Sequence, residues 1–271
     1  MSYQYDLADF KRYLQDRNRA YRVDGLIFWQ NRIPLPIDLF NRIFDESDQI
    51  VTDYIYQLAA STLAFNKAGA FEEKLGHPVS DLPTLRHADS YLQGHPNMNL
   101  VPGVDMSTGS LGQGVSCAAG MAKGAKYLNE DVNVYTLLGD GEIEEGQVWE
   151  AFMFAAHFKL DNLCVIIDLN GLQIDGPTEK VMNSAPVDAK MEAFGFNVIT
   201  IDGHDYDQIE GAFNAFRACT GKPTAILMHT TKGKGVSYME NSVDWHGKAP
   251  NDAEYEVAMG ELRAAMAELE A

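Results

Sequence analysis

Short apolar runs alternate with segments of helical periodicity along most of this chain. The strands predicted from β-branched and apolar runs span 132–138, 163–168, 197–201 and 224–229. The helices predicted from the longer periodic segments span 51–68, 109–128, 143–159, 187–194, 207–219 and 252–270. Helices that separate short apolar strands are typical of a parallel sheet whose two faces are both covered. The pattern therefore predicts an α/β fold, a parallel sheet with helices on both faces.

The first 47 residues follow a different pattern. They are rich in aromatic residues and mixed in charge, with helical periodicity over 6–19 and a short helix predicted over 38–44. The segment Ile33-Pro34-Leu35-Pro36 separates these two helices, because proline interrupts helical hydrogen bonding. We therefore predict an N-terminal arm over 1–47 and one α/β domain over 48–271.

Composition narrows the class of protein. The chain has 271 residues, of which 46% are hydrophobic, enough for one large core. No apolar run reaches the roughly 18 residues of a membrane-spanning helix, and no signal peptide is evident at the N-terminus. Cys117, Cys164 and Cys219 are scattered and odd in number. We therefore expect a cytoplasmic protein with reduced cysteines and no membrane partner.

The chain is strongly acidic, with a formal net charge of −18. Binding to nucleic acid depends on clustered lysine and arginine, so we expect no nucleic-acid partner. A bound anion would need local positive charge, and a divalent cation is a direct source of it.

Two polar groups follow neighbouring strands of the predicted sheet. Asp140 lies in Gly139-Asp140-Gly141 at the end of one apolar run, and Asn170 follows the next run thirty positions later. Ligands of open α/β sheets bind outside the carboxyl ends of the strands. Carboxylate and carboxamide oxygens suit Mg²⁺ or Ca²⁺, and Mg²⁺ often bridges a protein carboxylate to phosphates. The pattern indicates a metal-bound diphosphate at this edge.

The surrounding residues have both a functional and a simpler interpretation. Glycines flanking Asp140 would let the backbone approach phosphate oxygens, and a helix starting near Glu142 could direct its N–H groups at the anion. However, acidic residues at 142, 144 and 145 are also favoured at any helix N-terminus. A lone Gly-Asp-Gly occurs by chance in roughly one chain of this length in ten. The two strands that end at Asp140 and Asn170 make the signal specific.

At this point the chain resembles the transketolase family, specifically the diphosphate-binding subunit of the split, two-gene type. The resemblance covers about residues 84–271 and is essentially absent over 1–47. The segments that carry it are Gly94-His95-Pro96, Pro102-Gly103-Val104, 108–114, 139–151, 170–176, 232–236 and Trp245-His246-Gly247.

The resemblance implies thiamine diphosphate and Mg²⁺ (or Ca²⁺) as cofactors. It places the metal on Asp140, Asn170 and the backbone carbonyl of Leu172. The cofactor contacts expected from the glycine triplet and the resemblance together are Gly109, Ser110, Leu111, Gly139, Asp140, Gly141, Asn170, Ile174 and His246.

The resemblance also implies three catalytic candidates. His246 would reach the diphosphate and the reacting substrate oxygen, and His95 would face the terminal hydroxyl of the donor. Glu145, together with Glu150, would lie at a subunit interface. The implied reaction transfers a two-carbon ketol unit from a ketose to an aldehyde.

Two motifs of the family are missing. Nothing in residues 1–47 resembles its Ser-Gly-His-x-Gly-Gly segment, and Tyr54-Ile55-Tyr56 stands where the family carries Lys-Gly-His. A phenol has a far higher pKa than an imidazole and acts mainly as a neutral hydrogen-bond donor. The metal ligands are unaffected, so an altered donor or acceptor, or lost activity, is indicated.

The pyrimidine-binding half of the family's active site would follow the last helix, but the sequence ends at Ala271. We therefore expect the partner to be a separate C-terminal transketolase subunit, in an α₂β₂ assembly, and the substrates to be small sugars. Two alternatives stay open. One is transfer of the two-carbon unit to a carrier thiol, and the other is a non-catalytic subunit that binds the cofactor or stabilises its complex.

Overall fold

The computed structural model describes the C-terminal two thirds of the chain and three short strands before it. The described residues are 27–28, 34–35, 49–52, 81, 84–101 and 106–269. The helices predicted over 6–19 and 38–44 lie outside them, so they stay predictions, as does the domain boundary at 47/48. Strands β1 (Ile27–Phe28) and β2 (Pro34–Leu35) form an antiparallel pair within the predicted arm.

A five-stranded sheet forms the centre of the domain. Its strands, named in chain order, are β3 (Gln49–Thr52), β4 (Asn133–Gly139), β5 (Leu163–Leu169), β8 (Asn197–Asp202) and β9 (Thr224–His229). They lie in the order β3-β4-β5-β9-β8, and every neighbouring pair is parallel. A separate two-stranded pair joins β6 (Leu172–Gln173) to β7 (Gly176–Pro177).

Helices cover both faces of this sheet, as predicted. The helices are α1 (Gly114–Leu128), α2 (Gly146–His157), α3 (Thr178–Val181), α4 (Val187–Phe194), α5 (Tyr206–Ala218) and α6 (Asp252–Leu269). Along β4, Val134 and Leu138 pack in the core beneath α1, α2 and α4, whereas Tyr135 and Leu137 pack with α5 on the opposite face. The side chains of a strand alternate between the two faces, so one apolar run supplies both cores.

Small residues bring α1 close to the sheet. Ala118, Ala119, Ala122 and Ala125 are fully or almost fully buried against it. The helix ends at Leu128, and the left-handed backbone of Asn129 brings the N–H of Glu130 to the carbonyl of Ala125 at 2.9 Å. The predicted role of this helix in close packing is therefore confirmed, although it begins at Gly114, not at Gly109.

Two further predicted element boundaries are wrong. The helix predicted from 143 begins at Gly146, because Glu145 has an extended backbone (ψ 128°) that separates it from a 3-10 turn over Glu142–Glu144. The sequence pattern places Val51 and Thr52 in a helix over 51–68, but they belong to strand β3, which pairs with β4. Valine and threonine are β-branched residues that favour strands, and pairing with β4 outweighs the helical periodicity here. Residues 53–68 lie outside the described part.

No helix within the described residues is both long enough and apolar enough to span a membrane.

Candidate functional site

The site is built around Asp140, the first residue after β4. Its carboxylate is 4% exposed, and it accepts hydrogen bonds from the backbone N–H groups of Gly141 (2.9 Å) and Gly171 (2.5 Å). Gly139 pairs with Asp168 in the sheet, so the ends of β4 and β5 lie side by side. Asp140 and Asn170 therefore follow paired strands at the same edge of the sheet, as the sequence predicted, and Asp140 also links the two strand ends through the Gly171 N–H.

The surroundings of Asp140 favour its protonated form. Burial raises its pKa to about 6, and the nearby charge of Asp168 acts in the same direction. The amides of Gly171 and Gly141 and the charge of Lys232 oppose this rise. The carboxylate thus lacks full compensation within the protein, which is the condition in which a cation is favoured.

Asn170 is held in one orientation. Its side-chain Nδ2 donates to Asp168 Oδ2 (3.0 Å), while its Oδ1 accepts from the backbone N–H of Leu172 (3.0 Å). Asp168 is fully buried and also accepts a hydrogen bond from the Thr230 hydroxyl. These hydrogen bonds fix the orientation of the Asn170 amide. Its nitrogen faces Asp168, and its oxygen faces away from Asp168.

These groups could hold a hard divalent cation. The donors are the Asp140 carboxylate, the Asn170 amide oxygen and the carbonyl of Leu172, all oxygens of the kind that Mg²⁺ and Ca²⁺ prefer. A carboxylate offers about four lone-pair positions, so the two amides bonded to Asp140 leave others free. The part of the chain that the structure describes contains no cluster of three His, Cys, Asp or Glu residues that would suit another metal.

A turn before α1 lies beside this edge. The Gly112 N–H donates to Glu142 Oε1 (2.8 Å), and the Gly139 N–H donates to Glu142 Oε2 (3.2 Å). Gly109 has φ of +127°, and a Cβ there would lie 2.5 Å from the ring of His95. A Cβ at Gly112 would lie 2.8 Å from Glu145 Cβ. The turn is thus in contact with two of the predicted catalytic residues.

The flanking glycines of Asp140 have different surroundings. A Cβ at Gly141 would lie 2.6 Å from Gln173 Oε1, whereas a Cβ at Gly139 would meet no atom within 4 Å. At Gly141 the absence of a side chain therefore makes room for the side chain of Gln173. At Gly139 the space is open, so only a molecule from outside the described chain would require a glycine.

Two large apolar side chains of the predicted site face solvent. Leu111 is 53% exposed and Ile174 is 67% exposed. Ser110 is exposed beside Leu111. An exposed isoleucine or leucine at the rim of a polar site is a surface that a ligand or partner can cover.

His246 follows a 3-10 turn over Val243–Trp245, on a loop remote in sequence from the two strands. Partial burial lowers its pKa, and the charge of Lys232 lowers it further. Lys232 acts on Asp140 as well, so this lysine lies within electrostatic range of both groups. The imidazole of His246 is thus favoured in its neutral form near pH 7.

Sequence reasoning misses three residues of this edge. Glu142 has a simple interpretation as a favourable charge at a helix N-terminus, but it is buried and bonded to two backbone amides. Asp168 reads as part of an apolar strand, although a carboxylate inside such a run is itself a signal. Lys232 stands out in the sequence only as part of a glycine-rich segment.

His204 contacts the loop that follows β9 and leads to Lys232. Its Nε2 accepts a hydrogen bond from the backbone N–H of Thr231 (2.7 Å), and burial lowers its pKa. The neutral ring therefore holds the start of the loop that carries Lys232.

Comparison with known proteins identifies the family of this chain. Residues 71–265 match the family model described as "Transketolase, thiamine diphosphate binding domain". The chain is 42% identical over 186 residues to a subunit of the apulose-4-phosphate transketolase of Actinobacillus succinogenes, covering 69% of this chain and 67% of the relative. It is 38% identical over 228 residues to a 6-deoxy-6-sulfo-D-fructose transketolase subunit of Clostridium sp., covering 84% of this chain and 81% of the relative.

Solved structures show the same fold. A transketolase from Campylobacter jejuni superposes with a TM-score of 0.69 at 28% sequence identity, over 94% of this chain. The match spans 38% of the length of that transketolase chain. The chain therefore belongs to the transketolase family of thiamine-diphosphate-dependent transferases, as a thiamine diphosphate binding domain.

Proposed function

We propose that this chain is the metal- and diphosphate-binding subunit of a transketolase that transfers a two-carbon ketol unit from a sugar donor to an aldehyde acceptor. The observation that carries the proposal is the Asp140 carboxylate. It is buried, its pKa is raised, and it accepts a hydrogen bond from the Gly171 N–H, next to Asn170 at the end of β5. A chain of the transketolase family with such a group is suited to a cation bridging it to a diphosphate.

Three oxygens would hold the metal: the Asp140 carboxylate, the Asn170 side-chain oxygen and the Leu172 carbonyl. The hydrogen bond from Asn170 Nδ2 to Asp168 supports this assignment, because it keeps the amide oxygen on the other side. Mg²⁺ is the expected ion, with Ca²⁺ as a substitute of the same ligand preference.

The cofactor contacts would come from both sides of this metal. Thiamine diphosphate, when bound, supplies the nucleophilic carbon and the electron sink for cleaving the bond beside a ketose carbonyl. Open space at Gly139 and the exposed apolar side chains of Leu111 and Ile174 support their placement against it. The remaining proposed cofactor contacts are Gly109, Ser110 and Gly141.

Two histidines are proposed to act on the substrate. His95 packs against Gly109, which fixes its ring at the rim of the site. His246 has a lowered pKa, so at neutral pH it can accept a proton and return it. Glu145 touches the turn at Gly112 from an exposed position, and we propose that it faces a neighbouring subunit.

The relatives indicate the kind of partner and substrate. Two are named as transketolase subunits, one for apulose 4-phosphate and one for 6-deoxy-6-sulfo-D-fructose. We infer a separate C-terminal subunit for this chain as well, in an α₂β₂ assembly, and a sugar donor that carries an anionic group. The described cysteines are free thiols, which fits a cytoplasmic location.

The test is an assay of the chain mixed with the subunit encoded beside its gene, with thiamine diphosphate and Mg²⁺. The donor panel contains xylulose 5-phosphate, fructose 6-phosphate, apulose 4-phosphate and 6-deoxy-6-sulfofructose, with glyceraldehyde 3-phosphate as acceptor. We expect cleavage of at least one donor by the mixture and none by either protein on its own. His95→Ala should lower kcat/KM at least tenfold, while the control His157→Ala, on the exposed end of α2, should leave it unchanged.

Other outcomes of this assay identify the alternatives. Donor cleavage that labels a carrier thiol and not an aldehyde would establish transfer to a non-sugar acceptor. Cofactor binding with no cleavage of any donor would contradict ketol transfer and leave the non-catalytic subunit.

A further inference from the structure

We propose that Glu142 is a positioning residue that fixes the turn at 109–112 against the end of β4, and so sets the width of the cofactor site. The proposal rests on the proposed function for its consequence in binding, but the contact itself stands on geometry alone. Neither the resemblance nor the comparisons give Glu142 a role.

The contact joins two parts of the chain that are far apart in sequence. One carboxylate oxygen accepts from the Gly112 N–H at 2.8 Å, thirty residues away, and the other accepts from the Gly139 N–H at 3.2 Å. The residue is 8% exposed. A buried carboxylate is unfavourable unless its oxygens are hydrogen-bonded, and here both oxygens are bonded to backbone amides.

The turn contains one local backbone hydrogen bond, from the Gln113 N–H to the Ser110 carbonyl at 3.2 Å. Gln113, which precedes α1, makes no capping hydrogen bond with its side chain. Glu142 supplies the Gly112 N–H with an acceptor from another element, and its negative charge is favourable beside a helix N-terminus. Gly112 has φ of +81° and close contact with Glu145, which leaves the turn little freedom to be rebuilt by other residues.

The two backbone segments that Glu142 joins, at Gly112 and at Gly139, both carry proposed site residues. On one side are the exposed residues Ser110 and Leu111, and on the other is Asp140, two residues before Glu142. A carboxylate that bonds both sides at once fixes their separation. The binding surface for the cofactor is then in place before the cofactor arrives, which reduces the ordering cost of binding.

Substitution tests this with little change in shape. Glu142→Gln leaves one acceptor oxygen and replaces the other with a donor, so one of the two amides loses its partner. Glu142→Asp keeps the charge but is one methylene shorter, so it cannot reach both amides. Ile209→Val, in the core on the α5 face, serves as a control that loses stability away from the site.

The first measurement is amide hydrogen exchange of the full-length chain without cofactor. We expect exchange over 109–113 to be at least tenfold faster in Glu142→Gln and Glu142→Asp, with β5 and β9 unchanged. Unchanged exchange over 109–113 in both variants would overturn the proposal, whatever the cofactor does.

The second measurement is calorimetric titration with thiamine diphosphate and Mg²⁺. We expect both Glu142 variants to bind about tenfold more weakly than wild type, and Ile209→Val to bind normally at equal or greater loss of Tm. Full affinity in Glu142→Asp would show that charge alone matters and would contradict the positioning role. A wild-type chain that binds no cofactor with or without its partner subunit would instead refute the proposed function, and the exchange result would still decide whether Glu142 holds the turn.

Discussion

The two ends of strands β4 and β5 differ in how their carboxylates are compensated. At the amino end, Asp161 pairs with Lys126 and accepts the Gly221 N–H at 2.8 Å. Burial acts against it, but these hydrogen bonds and the Lys126 charge lower its pKa below the ordinary value. At the carboxyl end, burial raises the pKa of Asp140 to about 6, although two amides are bonded to it.

An aspartate is therefore favoured as an anion at the amino end, at Asp161, and disfavoured as an anion at the carboxyl end, at Asp140. The amino end is complete, because Asp161 has its counter-charge and its hydrogen bonds. At the carboxyl end, the charge of Lys232 and two backbone amides only partly offset the burial of Asp140 and the nearby charge of Asp168. A further positive charge close to Asp140 would favour its ionised form.

The largest expected effect comes from removing each aspartate in turn. Asp140→Ala should weaken binding of thiamine diphosphate in the presence of Mg²⁺ by at least a hundredfold, because a metal ligand is lost. Asp161→Ala should leave binding unchanged and cost about 1 kcal/mol of the free energy of unfolding through its lost hydrogen bonds. Calorimetric titration and urea unfolding check the two effects. Equal affinity in both variants would remove the functional difference between the two ends.

Glycines give a second matched pair. Gly109 and Gly221 both have positive φ, but a Cβ at Gly221 would meet no atom within 4 Å, whereas at Gly109 it would overlap the His95 ring. Gly221→Ala should cost only about 1 kcal/mol of stability from backbone strain. Gly109→Ala should also displace His95 and lower cofactor affinity about tenfold. Thermal unfolding of both variants measures the backbone strain, and titration with thiamine diphosphate and Mg²⁺ measures the effect of displacing His95.

At the amino end, Asn162 should matter for stability alone. Its side-chain Nδ2 donates to the carbonyls of Ala122 (3.1 Å) and Val132 (3.0 Å), which ties α1 to the residue that precedes β4. Asn162→Ala leaves both carbonyls without this donor and should cost about 1–2 kcal/mol of the free energy of unfolding. Cofactor affinity should stay at the wild-type value, and a tenfold loss would mean that the amino end also shapes the site.

The smallest effect is a pH dependence of opposite sign at the two ends. The raised pKa of Asp140 means that the folded state binds its proton more tightly than the unfolded state, so in metal-free protein its contribution to stability falls as pH rises from about 4 to 6. We expect wild type to lose about 1 kcal/mol between pH 5 and 7 relative to Asp140→Asn.

Asp161 should behave in the opposite way. Its lowered pKa gives stability that is present above the unfolded pKa and is lost as pH falls through the folded pKa. Urea unfolding with a chelator at several pH values compares Asp140→Asn and Asp161→Asn with wild type. A stability difference between wild type and Asp140→Asn that does not change with pH would contradict the assigned pKa of Asp140.

Most of the fold could be predicted from the sequence, because the central strands β4, β5 and β9 are buried along most of their length. Continuous apolar runs such as 163–167 leave few alternatives to a parallel sheet. The exceptions are short elements, where local preference is weak. Strand β3 falls in a segment with helical periodicity, and Glu145 interrupts the start of α2 with one extended residue.

The candidate site could be predicted in part. Asp140, Asn170 and the glycines are recognisable because their residue types have distinctive chemistry at the end of a strand. Glu142 and Asp168 act through contacts with Gly112 and Thr230, which are thirty and sixty-two positions away. Spacing along a sequence carries no signal for such pairs, since the fold alone brings them together.

The most direct test of the account is hydrogen exchange of the full-length chain with its partner subunit, measured with and without thiamine diphosphate and Mg²⁺. The account predicts that the cofactor slows exchange at the carboxyl end, over 109–113, 139–142 and 169–173, and leaves the amino end at 129–134 and 160–163 unchanged. Protection at the amino end alone, or no protection at either end, would contradict the placement of the site.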